Sequence, residues 1–176
     1  MEFRLTQESG RTYFIRTVKV REHDPRLIKT ISEIDLMTFS QPTWSHVTLD
    51  LALRHGRTTL LYADDLAIGS CHCVRAWDNP DEAVLFAMAI RPGWRGRGLG
   101  SRFLQGVLDG LARDGLRSVI LQVDANNKAA VRIYQSRFGF EILADEIDAR
   151  GERRIHMRRV LRATAANDTL GELSAG

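Results

Sequence analysis

The sequence predicts a mixed α/β fold in which a central, mostly antiparallel sheet is flanked by helices. Apolar residues recur at the two-residue spacing of strands in some segments and at helical spacing in others. The two kinds of segment follow the order β-α-α-β-β-β-α-β-α-β-β. With 176 residues, of which 44% are hydrophobic, the chain is long enough for one substantial core and short for two. We expect one domain over residues 1–162.

The first third of the chain predicts one strand and two helices. Thr12–Val20 is the strand, and Asp24-Pro25 supplies the N-cap and first position of a helix. Its apolar residues at helical spacing are Leu27, Ile28, Ile31, Ile34 and Met37. Ser40–Thr43 ends this helix, and a second follows from about Ser45 to Arg54 before His55-Gly56. We expect its inward residues to be Val47, Leu51 and Leu49.

Further along, turn residues separate the remaining strands. Thr58–Tyr62 and Leu66–Trp77 predict a hairpin across Asp64-Asp65, and Asn79-Pro80 turns the chain into the next strand, Ala83–Ile90. Because these segments are short and bounded by Asp, Asn, Gly or Pro, we expect strands and not helices.

The last third predicts a strand, a helix and a hairpin. Val119–Val123 is the strand and Asn127–Arg137 the helix. Phe140–Ile147 then pairs with Arg154–Val160 through a turn at residues 149–151. Residues 163–176 have no periodicity, and we expect a flexible tail there.

A glycine-rich segment is the clearest functional pattern. Arg95-Gly96-Arg97-Gly98-Leu99-Gly100 follows the apolar run Ala83–Ile90 and precedes the amphipathic run Ser101–Leu111. Without a Cβ, the glycines can adopt φ > 0 and direct several backbone N–H groups at one anion. The start of the following helix adds the positive end of its dipole. The pattern indicates a phosphate site, and a glycine-rich turn without a ligand is the alternative.

The spacing excludes two other phosphate-binding loops. The pattern G-x-x-x-x-G-K-[ST] fails because no Lys-Ser or Lys-Thr follows these glycines. The dinucleotide pattern G-x-G-x-x-G, begun at Gly96, requires glycine at position 101, which is Ser101. A dinucleotide loop also usually follows the first strand of its fold, whereas about half of this chain precedes Arg95. We therefore do not expect NAD as a cofactor.

The loop matches a third pattern, [RQ]-x-x-G-x-[GA], through Arg95, Gly98 and Gly100, behind Ile90-Arg91-Pro92. The sequence here resembles the GCN5-related N-acetyltransferase family, whose loop has this form after a strand that ends near a proline. The resemblance implies the mixed, mostly antiparallel sheet of that family.

A second, independent match lies downstream. Asn127, Ala130 and Tyr134 reproduce the N-x-x-A-x-x-x-Y helix of the family, and Gly139-Phe140-Glu141 reproduces the G-F-E that begins its next strand. The resemblance extends from about residue 60 to residue 160. One departure is that Gly139 follows Tyr134 by five positions, where the family commonly has four.

The resemblance implies acetyl-CoA as cosubstrate. In this family the pyrophosphate lies on the loop, and the pantetheine arm runs alongside the preceding strand, where a backbone N–H also polarises the thioester carbonyl. Asn127 would hold the pantetheine amide, a role compatible with capping its helix. The cofactor-binding residues expected on this basis are Met88, Ala89, Ile90, Arg95, Gly96, Arg97, Gly98, Leu99, Gly100, Ser101, Asn127 and Ala130.

Tyr134 is the candidate general acid. The resemblance implies that its phenol, with an ordinary pKa of about 10, returns a proton to the departing CoA thiolate. The alternative is an aromatic side chain on the buried face of a helix. Because the extra residue follows the tyrosine, we expect it to affect the end of the helix more than the position of the phenol.

The general base has no direct match. Family members carry a glutamate at the position of Val84 or of Gln122. Glu82 and Asp124 share a strand face with these positions and are the candidates, each acting through a bridging water. A solvated carboxylate at a strand end is the alternative for both, and His46 and His72 are weaker candidates.

Composition excludes several classes. The net charge of +3 and the absence of Lys/Arg runs do not indicate nucleic acid binding. Cys71 and Cys73 lie on one side of a strand and His72, between them, on the other; this arrangement cannot close a zinc site, so we expect no metal. Apolar stretches are far below about 18 residues, so we expect no membrane span and a cytoplasmic location.

These observations predict acetyl transfer from acetyl-CoA to a primary amine of a small molecule, by direct attack in a ternary complex. A protein N-terminus or lysine is the alternative acceptor, and a non-catalytic acyl-CoA-binding module is a further alternative. A site without a matched carboxylate favours amines of low pKa, because freeing the lone pair costs less. Phe39, Trp44 and Trp77, with nearby acids, suit a cationic amine. A homodimer is left open.

Overall fold

The computed structural model describes residues 1–20, 24–39 and 44–162, and within these ranges eight strands form one sheet. The strands are β1 Glu2–Thr6, β2 Thr12–Lys19, β3 Arg57–Ala63, β4 Leu66–Arg75, β5 Glu82–Ile90, β6 Ser118–Asp124, β7 Glu141–Ile147 and β8 Arg153–Val160. Their order across the sheet is β1-β2-β3-β4-β5-β6-β8-β7. Only β5 and β6 pair in parallel, so the predicted mixed, mostly antiparallel sheet is confirmed.

Helices cover both faces of this sheet. They are α1 Pro25–Phe39, α2 His46–His55, α3 Leu99–Arg113 and α4 Lys128–Arg132, which continues as a π-helical turn over Ile133–Arg137. On the face that we call the α3 face, Phe103 of α3 packs with strand residues such as Leu121 and Met157. On the opposite α1 face, Ile31 and Leu49 pack against Leu60. None of the described helices is long and apolar enough to cross a membrane.

The sequence reasoning missed β1. Its five residues, Glu2–Thr6, pair antiparallel with β2, and their burial alternates as a half-buried strand requires. Phe3 and Leu5 face the core, and Arg102 stacks 4.5 Å from the centre of the Phe3 ring. The alternation was present in the sequence, but a run this short at the start of a chain carries little signal by itself.

Helix α2 is rotated relative to the prediction. Val47 and Leu51 are exposed, and Leu49, Ala52 and Leu53 face the sheet. The predicted inward position is therefore wrong for the first two and confirmed for Leu49. In α1, Ile31 and Ile34 are buried as predicted, whereas Met37 is exposed. Ser40–Thr43, predicted to end α1, and the predicted tail over 163–176 lie outside the described residues.

The divergence of β5 from β6 creates the opening in which the candidate site lies. Their ladder begins at Glu82↔Ser118 and ends at Leu85↔Leu121. A register shift between β4 and β5 leaves Phe86 without an opposite residue, because His72 pairs with Ala87 and Cys73 with Leu85. A bulge of this kind bends its strand, and residues 86–90 of β5 have no strand partner on the β6 side.

Candidate active site

The glycine loop forms a cradle of free backbone donors at the start of α3. Gly96 and Gly98 have φ of +80° and +70°, and Gly98 is the N-cap residue of the helix. In the described chain, Arg95 N–H donates to Pro92 and Arg102 N–H to Gly98, and none of residues 96–101 donates to a backbone acceptor. Such donors, together with the helix dipole, fit a pyrophosphate.

The arginines around the loop have different partners. Arg91 donates to the carbonyl of Ala67, and Arg95 donates to that of Ile90 at 2.9 Å. Arg97 donates to the carbonyl of Gly93 at 2.7 Å. Arg95 and Arg97 are nevertheless exposed beside the cradle. They keep N–H groups and full charge available to an anion, since a guanidinium has five donors.

The edge of β5 supplies further free backbone groups. Arg91 N–H donates to the carbonyl of Ile68, and bonded pairs recur at every second residue of an antiparallel ladder. Ala89 therefore directs its backbone groups to β4, whereas Met88 and Ile90 direct theirs to the open β6 side. The Ile90 carbonyl already accepts from Arg95 and Thr38, so the free groups at this edge are those of Met88 and the N–H of Ile90. The register supports the predicted backbone contacts of Met88 and Ile90, and it does not support one from Ala89.

The π-helical turn absorbs the extra residue after Tyr134. Phe138 N–H donates to Ile133, five positions back, and Phe140 N–H donates to Tyr134, six positions back. The helix ends at Gly139, which has a left-handed φ of +65°. In a helix that ends at such a glycine, the closing bond usually runs five positions back, so the bond from Phe140 to Tyr134 spans one residue more. Tyr134 lies within the turn, so the widening includes its own position.

Tyr134 is partly buried against the core at the opening. Its ring packs 5.6 Å from that of Phe140, centre to centre. Burial raises the pKa of the phenol, and the nearby Cys71 adds to the rise. The hydroxyl is therefore protonated at neutral pH and available as a donor. Cys71 and Cys73 are buried free thiols on the α3 face, as the alternation predicts.

One cavity joins these groups. It has a volume of about 490 Å³ and contacts the end of β5, the cradle, α3, α4 and the π-helical turn. Its lining includes Met88, Ala89, Ile90, Arg95, Gly96, Gly98, Gly100, Ser101, Ala130 and Tyr134. A wider depression of about 600 Å³ on the outer side of α4 is lined by none of the predicted site residues.

Asn127 caps α4. Its Oδ1 accepts a hydrogen bond from the Ala130 N–H at 3.1 Å, and this uses the oxygen but leaves the amide NH₂ as a donor. The capping role is present, and the predicted contact with a pantetheine amide stays a prediction.

The comparison with protein-family models decides the family. The model described as "Acetyltransferase (GNAT) family" matches residues 26–140, a range that includes the cradle, the open edge of β5 and Tyr134. The chain belongs to the GNAT acetyltransferase family. The resemblance carried by the loop and by the Asn-Ala-Tyr helix is thereby confirmed.

Sequence relatives match over limited segments. The [Ribosomal protein bS18]-alanine N-acetyltransferase of Escherichia coli is 39% identical over 56 residues, which is 32% of this chain and 38% of that protein. The mycothiol acetyltransferase of Streptomyces scabiei is 40% identical over 81 residues, 46% of this chain and 26% of that protein. The chain thus spans well under two thirds of the length of these relatives.

A solved structure confirms the GNAT fold over most of the chain. The crystal structure of the ribosomal-protein-S18-alanine N-acetyltransferase from Escherichia coli has a TM-score of 0.71 and 22% identity. It covers 89% of this chain and 100% of that one. At this identity the similarity concerns the fold.

Glu82 is not positioned as the predicted base. Its carboxylate accepts from the Ser118 hydroxyl and from the Arg158 guanidinium, both at 2.6 Å, and the side chain is 12% exposed. Glu82 is also the first residue of β5, whereas the cavity lies at the last three. The structure therefore gives it a structural ion pair and does not support catalysis.

Asp124, the other predicted base, lies at the end of the sheet where the cavity is. It is the last residue of β6 and thus at the same end as Ile90 of the parallel β5. Its Oδ1 accepts from the N–H of Asn126 at 2.8 Å and shapes the turn into α4. Asp124 does not line the cavity, and its role as base stays a prediction.

An aromatic group lies on the α1 face at the opening, in which the sequence analysis named Trp44 but missed Phe86. Trp44 packs edge-on against Phe86 at 5.2 Å, and the ring of His72 lies 6.0 Å from that of Phe86. Burial lowers the pKa of His72 to about 4, so the ring is neutral at pH 7. In the sequence, Phe86 is one residue of the apolar run Ala83–Ile90 and has no distinguishing pattern. Its contacts with Trp44 and His72 are seen only in the structure, at the bulge in β5. Trp77, predicted for recognition, is fully exposed.

Proposed function

We propose that the chain transfers an acetyl group from acetyl-CoA to a primary amine of low pKa, most favourably the α-amine of a peptide or protein. The observation that carries this proposal is the single cavity that joins the free N–H groups of the cradle, the open edge of β5 and the phenol of Tyr134. The family supports acetyl transfer, and the chain's own residues support a role for the cradle and β5 in cofactor binding and for Tyr134 in proton transfer.

The cradle fits the pyrophosphate of acetyl-CoA because its N–H groups otherwise lack acceptors. The outward backbone groups of Met88 and the N–H of Ile90 fit an extended arm with amide groups, which binds like an added strand. A preorganised N–H at this edge can hold the negative charge that develops on the thioester oxygen. We therefore infer that the acyl group lies at the opening between β5 and β6.

Tyr134 is suited to complete the reaction. As the amine nitrogen bonds to the acetyl carbon, the carbon–sulfur bond breaks and the thiolate leaves. Because burial keeps the phenol protonated, Tyr134 can donate a proton to that sulfur.

The preference for a low-pKa amine follows from the site's charges. The position that carries a glutamate in family members is Gln122 here. Deprotonating a lysine with a pKa of about 10.4 at pH 7 costs about 4–5 kcal/mol, whereas an α-amine with a pKa of about 8 costs about 1 kcal/mol. The similarity to an alanine N-acetyltransferase supports the same class of acceptor.

A small-molecule amine is the second candidate. The similarity to mycothiol acetyltransferases supports it, and so do the aromatic rings of Trp44 and Phe86 beside the opening, which can contact a compact cation.

Release of free thiol from acetyl-CoA tests the proposal. The panel should contain peptides with a free α-amine, the same peptides with a blocked N-terminus and an internal lysine, and small primary amines. We expect thiol release with free α-amines and loss of it on blocking. Release with small amines alone would select the second candidate, and no release with any amine would overturn the proposal.

A further inference from the structure

A row of side chains crosses the α1 face where β5 and β6 diverge. The register pairs Thr58 with His72, His72 with Ala87 beside the bulged Phe86, and Gln122 with His156. Leu121 and Met157 face the α3 side, so Gln122 and His156 face the α1 side, because side chains alternate along strands.

The acceptor amine approaches the opening from the α1 face, on which this row of side chains lies. This step rests on the proposed function. The cofactor cavity is on the α3 face, so a nucleophile that attacks the acetyl carbon at the opening arrives from the opposite face. Gln122 borders the opening, because the β5–β6 ladder ends one residue earlier at Leu121. His156 is one strand further away, about 5 Å from Gln122 between Cα atoms.

His156 carries a carboxylate partner. Its Nε2 lies 3.6 Å from Oε2 of Glu146 on the neighbouring strand β7, and the imidazole is 32% exposed. The pair is diagonal across the β7–β8 ladder, since Glu146 is opposite Arg154. At 3.6 Å this is a contact between charges and not a hydrogen bond, and it holds a carboxylate beside Nε2 of the imidazole.

The other candidates on the α1 face are less available. Glu82 is held by Ser118 and Arg158. Asp124 is engaged by the N–H of Asn126. His72 is 2% exposed, and its Nδ1 is already 2.9 Å from the hydroxyl of Thr58. His156 combines access to solvent, a carboxylate partner and a position beside Gln122.

We propose that His156 is the general base of this chain, acting on the amine through one bridging water, and that Glu146 orients its ring. An ammonium acceptor loses two protons in the reaction. His156 passes one to solvent and frees the lone pair that forms the nitrogen–carbon bond. As the carbon–sulfur bond breaks, the thiolate takes a proton from Tyr134, and the second nitrogen proton replaces it. The products are the amide, free CoA and one released proton.

Several charged groups share this environment. Glu146 of β7, Asp124 of β6 and Arg154 and Arg158 of β8 lie on the same face as His156. Arg158 pairs with Glu82. Arg154 pairs with Asp148 and with Glu152. Glu146 is therefore the carboxylate that contacts the imidazole directly.

His156→Gln tests the proposal, because glutamine keeps a polar side chain and removes the basic nitrogen. With an α-amine of pKa about 8 as acceptor, we expect kcat to fall about tenfold near pH 7, because about one amine in ten is free there without a base. The deficit should shrink as pH rises, because more of the amine is then deprotonated. Acetyl-CoA affinity and Tm should stay unchanged. His55→Gln, at the exposed C-terminal end of α2, is the matched control and should retain wild-type kcat at every pH.

A compensating variant distinguishes a base from a structural residue. In His156→Gln combined with Gln122→Glu, a carboxylate borders the opening directly, and we expect most of the lost kcat to be recovered near pH 7. A purely structural role for His156 predicts no recovery.

Chemical modification of the wild-type protein needs no variant to fold. We expect diethyl pyrocarbonate to abolish turnover in parallel with the modification of His156, mapped by mass spectrometry, and bound amine to slow both. Modification of His156 without loss of activity would overturn the proposal, as would the same pH profile in His156→Gln and the wild type. A wild-type protein that binds acetyl-CoA but acetylates no amine would remove the proposed function and, with it, this inference.

Discussion

Tyr134 shows how one side chain depends on a local irregularity. It is in a π-helical turn, its ring packs against Phe140, and the residue lines the cavity that contains the cradle. Of the two interpretations from the sequence, the core aromatic is observed in the packing of its ring, and the proton donor stays a prediction for the same residue. Turns of this type often occur at functional sites.

Tyr134→Phe removes only the hydroxyl. If the phenol protonates the leaving thiolate, kcat should fall about 10²-fold or more, while acetyl-CoA affinity changes little. Tyr13→Phe is the control, because Tyr13 packs against Trp94 and does not line the cavity. The measurements are kcat on the best amine and the Kd for acetyl-CoA. An unchanged kcat, with chemistry limiting the rate, would exclude Tyr134 as the acid.

His72 makes stability depend on pH. Burial lowers its pKa in the folded protein from 6.5 to about 4. Between these two pH values the unfolded chain therefore binds a proton at His72 more readily than the folded protein does. Stability is therefore complete above about pH 6.5 and decreases as pH falls towards 4, by about 3 kcal/mol in total. His72→Gln removes this dependence and keeps a polar side chain beside Thr58.

The free energy of unfolding in urea at pH 7 and near pH 4.5 measures the effect for both proteins. We expect the wild type to lose about 2 kcal/mol more than His72→Gln over this interval. Asp114, Asp145 and Asp148 have lowered pKa values because of their cationic and N–H partners. The stability that these carboxylates contribute is lost at lower pH, and the loss is common to the wild type and His72→Gln. Equal losses would contradict the assignment to His72.

At the scale of elements, the cradle results from a loop and a helix acting together. Gly96 and Gly98 adopt positive φ, and the first turn of α3 leaves its N–H groups without partners. The loop and the apolar face of α3 were predictable, because glycine spacing and helical periodicity are local properties. The free edge of β5 was not, because it depends on where the β5–β6 ladder ends.

Gly98→Asp tests the cradle against a matched glycine. Gly98 and Gly115 have φ of +70° and +85°, and no atom lies within 4 Å of a Cβ added at either. Asp at either site should cost about 1 kcal/mol of stability through backbone strain. Only Gly98→Asp places a carboxylate where the pyrophosphate binds. We expect it to abolish acetyl-CoA binding and Gly115→Asp to retain it, measured by titration calorimetry. Retained affinity in Gly98→Asp would place the cofactor elsewhere.

At the scale of the whole molecule, the site depends on both faces of the sheet and on distant parts of the chain. The α3 face holds the cofactor cavity, and the α1 face carries Trp44, Phe86 and the row that ends at His156. The opening between β5 and β6 lies between them. A ligand that fills this opening holds together β5, α3 and α4.

Acetyl-CoA should therefore stabilise the folded protein. At a concentration of about 100 times Kd the linkage contributes roughly 2.7 kcal/mol, which raises Tm by several degrees for a domain of this size. Differential scanning fluorimetry with acetyl-CoA, and with AMP as a control that lacks the pantetheine arm, measures the shift. The absence of any shift at millimolar acetyl-CoA would contradict the cofactor assignment.

The amino-acid sequence by itself determined the family, the order of most elements, the phosphate-binding loop and Tyr134 as candidate acid. These features depend on residue types at fixed local spacing. It left β1 unpredicted and the inward face of α2 wrong, since a five-residue strand and a short helix have weak periodicity and tertiary contacts settle their orientation.

Only the tertiary structure decided which distant residues share the site. It paired the carboxylate of Glu82 with Arg158, and it placed His156 beside Gln122 with Glu146 as its partner. These contacts depend on strand register across the sheet. The physical reason is that register is set by the packing of whole faces and by bulges such as the one at Phe86, which no local pattern encodes.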